Sequence, residues 1–193
     1  MRPRRRAFLG LVSAPLVCAW PAQARQASGR AGYFPNVVLR THEDKRVRFY
    51  DDLIKGKVVA INFMFTTCPL FCPRATANLL KVQNQLGTRL GRDVFMLSIS
   101  VDPERDTPQV LSQYAAAHHI KPGWSLLTGG REDIDLIRRR LGVLSDDPDK
   151  TQHTGILTYG NEATGAWAAM PVVAQPAVIA RALIRVAGAN RSS

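Results

Sequence analysis

Val58 to Pro73 reads VVAINFMFTTCPLFCP. The run from Val58 to Phe65 is continuously apolar and rich in β-branched and aromatic residues, the pattern of a strand buried on both faces. Cys68 and Cys72 follow at once, each with a proline after it. A four-residue step across a tight turn or a helix start brings both sulfurs to one face, which makes the pair a chelate or a closable disulfide. A helix begun at Cys68 would hold Pro73 too far inside, where its missing N–H breaks a helical bond. The helix is therefore expected to start at Pro73, with Cys72 as its cap and Cys68 to Phe71 looping back over its N-terminus. There the positive end of the helix dipole favours a thiolate, a better nucleophile and a better soft-metal ligand.

Upstream of this stretch, strand-like runs at 36–40 and 46–50 flank a polar tip at 41–45 and predict a hairpin, with His42 an exposed loop residue. Downstream, residues 74–90 carry Leu79, Leu80, Val82 and Leu86 and predict a helix of about four turns. Val94 to Val101 is a second buried strand, parallel to the first through that crossover. In Asp102-Pro103-Glu104-Arg105-Asp106-Thr107-Pro108, Thr107 is an N-cap and Pro108 the first helical position. The carboxylates and Arg105 are expected to pair with one another and to support that helix start, or else to place Asp102 or Asp106 at the rim of a metal site. His118 and His119 suit the C-terminal end of the same helix.

A short strand at 124–128 and a helix at 132–141 follow, the latter ending in Arg138-Arg139-Arg140, expected as a solvated face. The polar loop Asp146 to Gln152 leads to His153, then to a strand at 154–159, a turn at 161–165, a returning strand at 166–170 and a helix at 176–186. This order predicts an α/β thioredoxin-like fold with extra N-terminal strands and an inserted helix, a central mixed sheet flanked by helices. The sequence contains no internal repeat and no second domain. In that fold the start of the late strand lies beside the cysteine turn. His153, by itself an ordinary surface histidine, is thereby a candidate to complete a Cys, Cys, His set.

Length and composition agree with one globular domain: 193 residues, 46% apolar and 21% charged. The formal charge of +11 is partly an address. Arg2, Arg4, Arg5 and Arg6, an apolar run from Ala7 to Trp20 and Ala22-Gln23-Ala24 form an export signal over 1–24 of twin-arginine type, with cleavage after Ala24. A polar leader at 25–34 then precedes the domain at 35–193. The apolar run is shorter than the roughly 20 residues of a membrane span, so the processed chain is expected to be periplasmic or otherwise exported, and soluble. Cys18 lies in the signal behind Val17, where a lipid-anchoring signal wants a small residue. The mature chain keeps Cys68 and Cys72, which in an oxidising compartment form a disulfide or a metal site. Nucleic-acid binding is disfavoured by export and by the lack of interleaved aromatic and basic residues. The remaining positive charge favours an acidic partner or peripheral contact with an anionic membrane.

Three strings carry a resemblance: Gly56-Lys57-Val58-Val59 leading into Thr67-Cys68-Pro69-Leu70-Phe71-Cys72-Pro73, Ser100-Val101-Asp102-Pro103-Glu104-Arg105-Asp106-Thr107-Pro108, and His153 before a strand and hairpin. Over about residues 35–187 the chain resembles the SCO/SenC copper chaperones. The resemblance implies that Cys68, Cys72 and His153 bind one copper ion. It further implies delivery of copper, taken from a donor protein, or of reducing equivalents to an apo-cuproprotein acceptor, the dinuclear copper site of cytochrome c oxidase subunit II. Relatives commonly carry CPDVCP where this chain has Leu70 and Phe71, which makes the site more apolar and better suited to copper(I).

Two functional classes use the same cysteines. A metallochaperone needs soft thiolates and an imidazole in an open trigonal set, with the Asp146 to Gln152 loop as the hinge for ligand exchange. Zinc in a structural site would want a fourth fixed ligand. A thiol:disulfide oxidoreductase needs only the Cys68 and Cys72 pair, one sulfur attacking a partner disulfide and the other resolving it. Their spacing is one residue longer than the usual CxxC redox motif, which favours copper.

Overall fold

The computed structural model describes residues 32–144 and 155–188. Their strands are β1 (Val38–Thr41), β2 (Arg46–Arg48), β3 (Val58–Met64), β4 (Phe95–Ser100), β5 (Trp124–Gly129), β6 (Ile156–Asn161) and β7 (Ala166–Pro171). Their α-helices are α1 (Phe71–Leu86), α2 (Pro108–Ala117), α3 (Arg131–Arg140) and α4 (Pro176–Gly188). The export signal, the leader as far as residue 31, the Asp146 to Gln152 loop and His153 lie outside the described residues.

The strands form one mixed sheet in the order β2-β1-β5-β4-β3-β6-β7. Every residue of β3 is buried, as its unbroken apolar run requires. It pairs in parallel with β4 and antiparallel with β6, and β4 pairs in parallel with β5. The C-terminal ends of β3, β4 and β5 and the N-terminal end of β6 therefore meet at one edge of the sheet. One core layer contains Phe49, Ile61, Phe63, Ile99, Ile134 and Ile137; the other contains Ala60, Leu79, Val82, Met96, Leu111 and Leu183. Helices cover both faces, so the thioredoxin-like architecture with added N-terminal strands holds.

Several local expectations need correction. The strand expected to run to Tyr50 ends at Arg48, where the chain winds into a π-helical turn, Phe49–Ile54, that buries Phe49, Tyr50, Leu53 and Ile54 together. Straight strand geometry would have sent alternate members of that set to solvent. α1 stops at Leu86 rather than near Leu90, because Gly87 takes φ 54° and a 3-10 turn follows. His42 is half-buried in the turn after β1, and its Nδ1 accepts the Leu126 N–H at 3.2 Å, which ties the turn to β5. Arg138 is not solvated: its guanidinium is half-buried and pairs with Asp135 at 2.9 Å, leaving Arg139 and Arg140 exposed. Phe34, at the end of the expected leader, is buried against Phe49 and Trp167.

Candidate metal and thiol centre

The site grows out of the end of β3. Strand pairing stops at Met64, and the Cys68 N–H turns back to the Phe65 carbonyl at 3.3 Å. α1 then begins at Phe71 with Leu70 as N-cap, two residues before the expected start. Pro73 is tolerated because the first-turn N–H groups have no intrahelical partner in any case. Cys72 is accordingly inside the first turn rather than its cap. Leu70 offers no capping side chain, and the Cys72 N–H instead points at the Cys68 sulfur, 3.3 Å away. The thiol that sequence reasoning placed over the helix N-terminus does cap it.

Both cysteines are buried, Cys68 with 6% and Cys72 with 2% of its surface exposed. They differ electrostatically. Burial opposes ionisation of Cys68, but hydrogen bonds from the Cys72 backbone and thiol and from the Leu70 and Phe71 backbone prevail and lower its pKa. Burial pushes Cys72 up to about 12. A hydrogen bond with the Phe65 backbone offsets this in part, while the neighbouring Cys68 and Asp106 charges add to it. Cys68 thus ionises more readily than an ordinary cysteine, and Cys72 less readily.

The loop is held from behind by Asp106. This carboxylate has no exposed surface. It accepts the Thr66 N–H at 3.1 Å, the Thr66 hydroxyl and the Ser100 hydroxyl, tying the segment before Cys68 to the end of β4. The Ser100 hydroxyl oxygen in turn accepts the Asp102 N–H at 3.0 Å. These carboxylates act structurally, but not through the expected pairing with Arg105. Glu104 forms a two-pronged ion pair with Arg131 at the start of α3, and Arg105 is exposed. Thr107 caps α2 through the Val110 N–H at 3.4 Å.

Two further features escaped the sequence. Tyr114 reaches the site from α2, its hydroxyl 2.8 Å from that of Thr76. Burial raises its pKa, and the charges of Cys72, Cys68 and Asp106 raise it further. Phe71 packs so closely on Gly155 that a Cβ there would stand 2.4 Å from the ring. Thr76 lies one helical turn after Cys72 and so faces the same way, but nothing in the sequence pairs it with Tyr114. His118 caps α2 and stacks on Tyr114, and His119 follows it, as expected of a helix end. Among the described residues no three His, Cys, Asp or Glu side chains gather as a metal-binding set. The third expected ligand, His153, is outside them.

A family model described as SCO1/SenC matches residues 36–188. The SCO1 protein homolog of Bacillus subtilis (strain 168) is 39% identical over 77 residues, which cover 39% of each chain. The matches span 39%, 60% and 46% of the length of the first three curated relatives, under two thirds in each case. Among solved structures, a SCO1/SenC family lipoprotein from Bacillus anthracis str. Ames is 28% identical with a TM-score of 0.68. The match covers 80% of this chain and 94% of that one. ScoI of Bradyrhizobium japonicum with copper bound is also 28% identical, with a TM-score of 0.63, covering 77% and 96%.

Proposed function

Because the chain belongs to the SCO1/SenC family, we propose that it is an exported copper chaperone that binds one copper ion through Cys68, Cys72 and His153 and passes it to a cuproprotein. The acceptor we infer is the dinuclear copper site of cytochrome c oxidase subunit II. The observation that carries this reading is the buried pair itself, with the Cys68 sulfur capping α1 beside the Cys72 thiol. Two soft sulfurs in an apolar setting select copper(I). The copper-bound ScoI relative supports the same metal.

Support for His153 comes from the chain on its far side. Gly155 lies against Phe71, between the two cysteines, and two residues of chain span at most ~7 Å. A ligand carried two residues before Gly155 would be within chain reach of the cysteine turn, which supports His153 as the third member of the set. Cys68, which ionises more readily, would engage the ion first, and Cys72 would give up its proton on binding. Hand-over would then follow by exchange of His153 for a partner ligand.

A second reading has its own observation. A lowered Cys68 and a raised Cys72 are what a thiol:disulfide oxidoreductase uses, an attacking thiolate and a resolving thiol. An anaerobic copper(I) titration of the reduced mature chain separates the two, run beside His153→Ala and the double variant Cys68→Ser, Cys72→Ser. The chaperone reading expects one tight copper, abolished in the double variant and much weakened in His153→Ala. Weak binding indifferent to His153, with thiols that still exchange, would leave the redox reading standing alone.

A further inference from the structure

We propose that Leu70, with Arg74 and Arg105 beside it, is a docking lip for a protein partner whose receiving cysteine is set among apolar and acidic side chains. This deepens the copper and thiol reading of the same site and rests on it.

Leu70 stands 78% exposed between two buried cysteines, the most exposed large apolar side chain among the described residues. In that position it contributes little to the core. Cys68 and Cys72 present almost no surface of their own, so a partner that engages them meets the turn that carries Leu70. Pro69 and Pro73 flank the lip and are exposed, and their fixed φ angles hold its backbone in shape before any partner arrives. Val173, 46% exposed, adds apolar surface at the same edge of the sheet. Its turn is pinned by the Val172 N–H on the Gly155 carbonyl and by the Asn78 amide on the Val172 and Ala174 carbonyls.

The charge beside the lip has one sign. Arg74 lies one helical turn after Leu70, and Arg105 precedes the Asp106 that holds Thr66; both are exposed and neither is in an ion pair among the described residues. The neighbouring carboxylates are spent: Asp102 and Asp106 are buried, and Glu104 is taken by Arg131. An apolar tip with free cations at its edge complements an apolar surface with carboxylates around it. A protein fits better than a lipid surface. Membrane-binding faces spread many apolar side chains along a helix, whereas here one exposed leucine stands in the turn between two cysteines.

The test measures thiol–disulfide exchange between the reduced mature chain and three disulfides. Two are synthetic peptide dimers whose cysteine is flanked by leucine with aspartate or by leucine with lysine; the third is a small uncharged disulfide. The Cys68 thiolate attacks one peptide sulfur, forming a mixed disulfide and expelling the first peptide thiolate. Cys72 then gives up its proton and attacks Cys68, releasing the second peptide, so two electrons pass from the dithiol to the peptide dimer. Leu70→Gln is expected to slow exchange with the acidic peptide roughly tenfold or more, the worth of burying a leucine, and to leave the small disulfide unchanged. Arg74→Glu with Arg105→Glu is expected to invert the preference between the peptides, the effect fading in high salt. Equal rates for all three disulfides in the parent, or equal slowing of all three by Leu70→Gln, overturns the proposal. So does co-sedimentation with phosphatidylserine vesicles that Leu70→Gln abolishes, which would assign the lip to a membrane. Copper titration of the same variants keeps the readings apart. Unchanged exchange with tight copper removes the lip alone, whereas a parent that binds no copper removes the chaperone reading beneath it.

Discussion

Removing the Asp106 carboxylate should loosen the cysteine loop from behind. In Asp106→Ala the Thr66 N–H, the Thr66 hydroxyl and the Ser100 hydroxyl lose their acceptor at a place without solvent. A hydrogen bond to a charged acceptor is worth about 1.5–3 kcal/mol, but three do not simply add. The two hydroxyls can rotate towards other acceptors, and Thr66 is only half-buried. The carboxylate's own cost of burial also disappears with it. The expected net loss is therefore ~3 kcal/mol, in the range of a broken buried network. Asp106→Asn keeps one acceptor oxygen and should lose about half as much. Urea unfolding of the reduced, metal-free mature chain measures both, read as a shift of midpoint at constant slope. Alkylation of the thiols under native conditions reports whether the loop has opened. An Ala variant within ~0.5 kcal/mol of the parent, or an Asn variant as unstable as Ala, would refute the view that this carboxylate anchors the loop.

His119 sits at φ 52°, the left-handed conformation that closes α2, so His119→Gly should stabilise the chain by about 0.5–1 kcal/mol in the same unfolding assay; a loss would mean that its side chain does more than terminate a helix. The thiols should separate with pH. Cys68 ionises below its ordinary 9.0, so its alkylation by iodoacetamide should level off below that pH, while Cys72, held up to about 12, should stay protected in the folded chain. The stability effects have opposite signs. Cys68, depressed in the fold, contributes stability present above the unfolded thiol pKa and lost as pH falls through its folded value. Cys72, raised in the fold, contributes stability present below the unfolded value and lost as pH rises towards about 12. Cys72→Ala should therefore flatten the alkaline limb of stability, and an unchanged limb would contradict the assignment.

The parts legible in the sequence were those that local patterns determine. An unbroken apolar run became β3, Thr107-Pro108 became the start of α2, and strand, helix, strand order fixed the parallel pairing of β3 with β4. The cysteine turn was legible as far as Cys68 folding back over a helix, because Pro73 limits where a helix can begin. Its start lies two residues earlier than expected because a proline is equally acceptable at the third helical position, and the acceptor supplied by the preceding turn decides among such registers. Here that acceptor is the Cys68 sulfur, which takes the Cys72 N–H and so makes Phe71 the first helical residue.

The charged string after β4 shows the opposite limit. Its carboxylates are near neighbours in sequence, which suggests that they pair locally with Arg105. Their partners instead come from elements that meet only when the sheet closes: Thr66 from the end of β3 for Asp106, and Arg131 from α3 for Glu104. The same applies to Tyr114 on Thr76 and Phe71 on Gly155. Periodicity says which residues point inward but not what they meet. The cysteine site is thus a junction: its nucleophile comes from a local turn, whereas its anchoring carboxylate and its packing against β6 come from distant strands. A substitution in the turn should act on the chemistry, and one at Asp106 should act first on stability and reach the thiols only through the loosened loop.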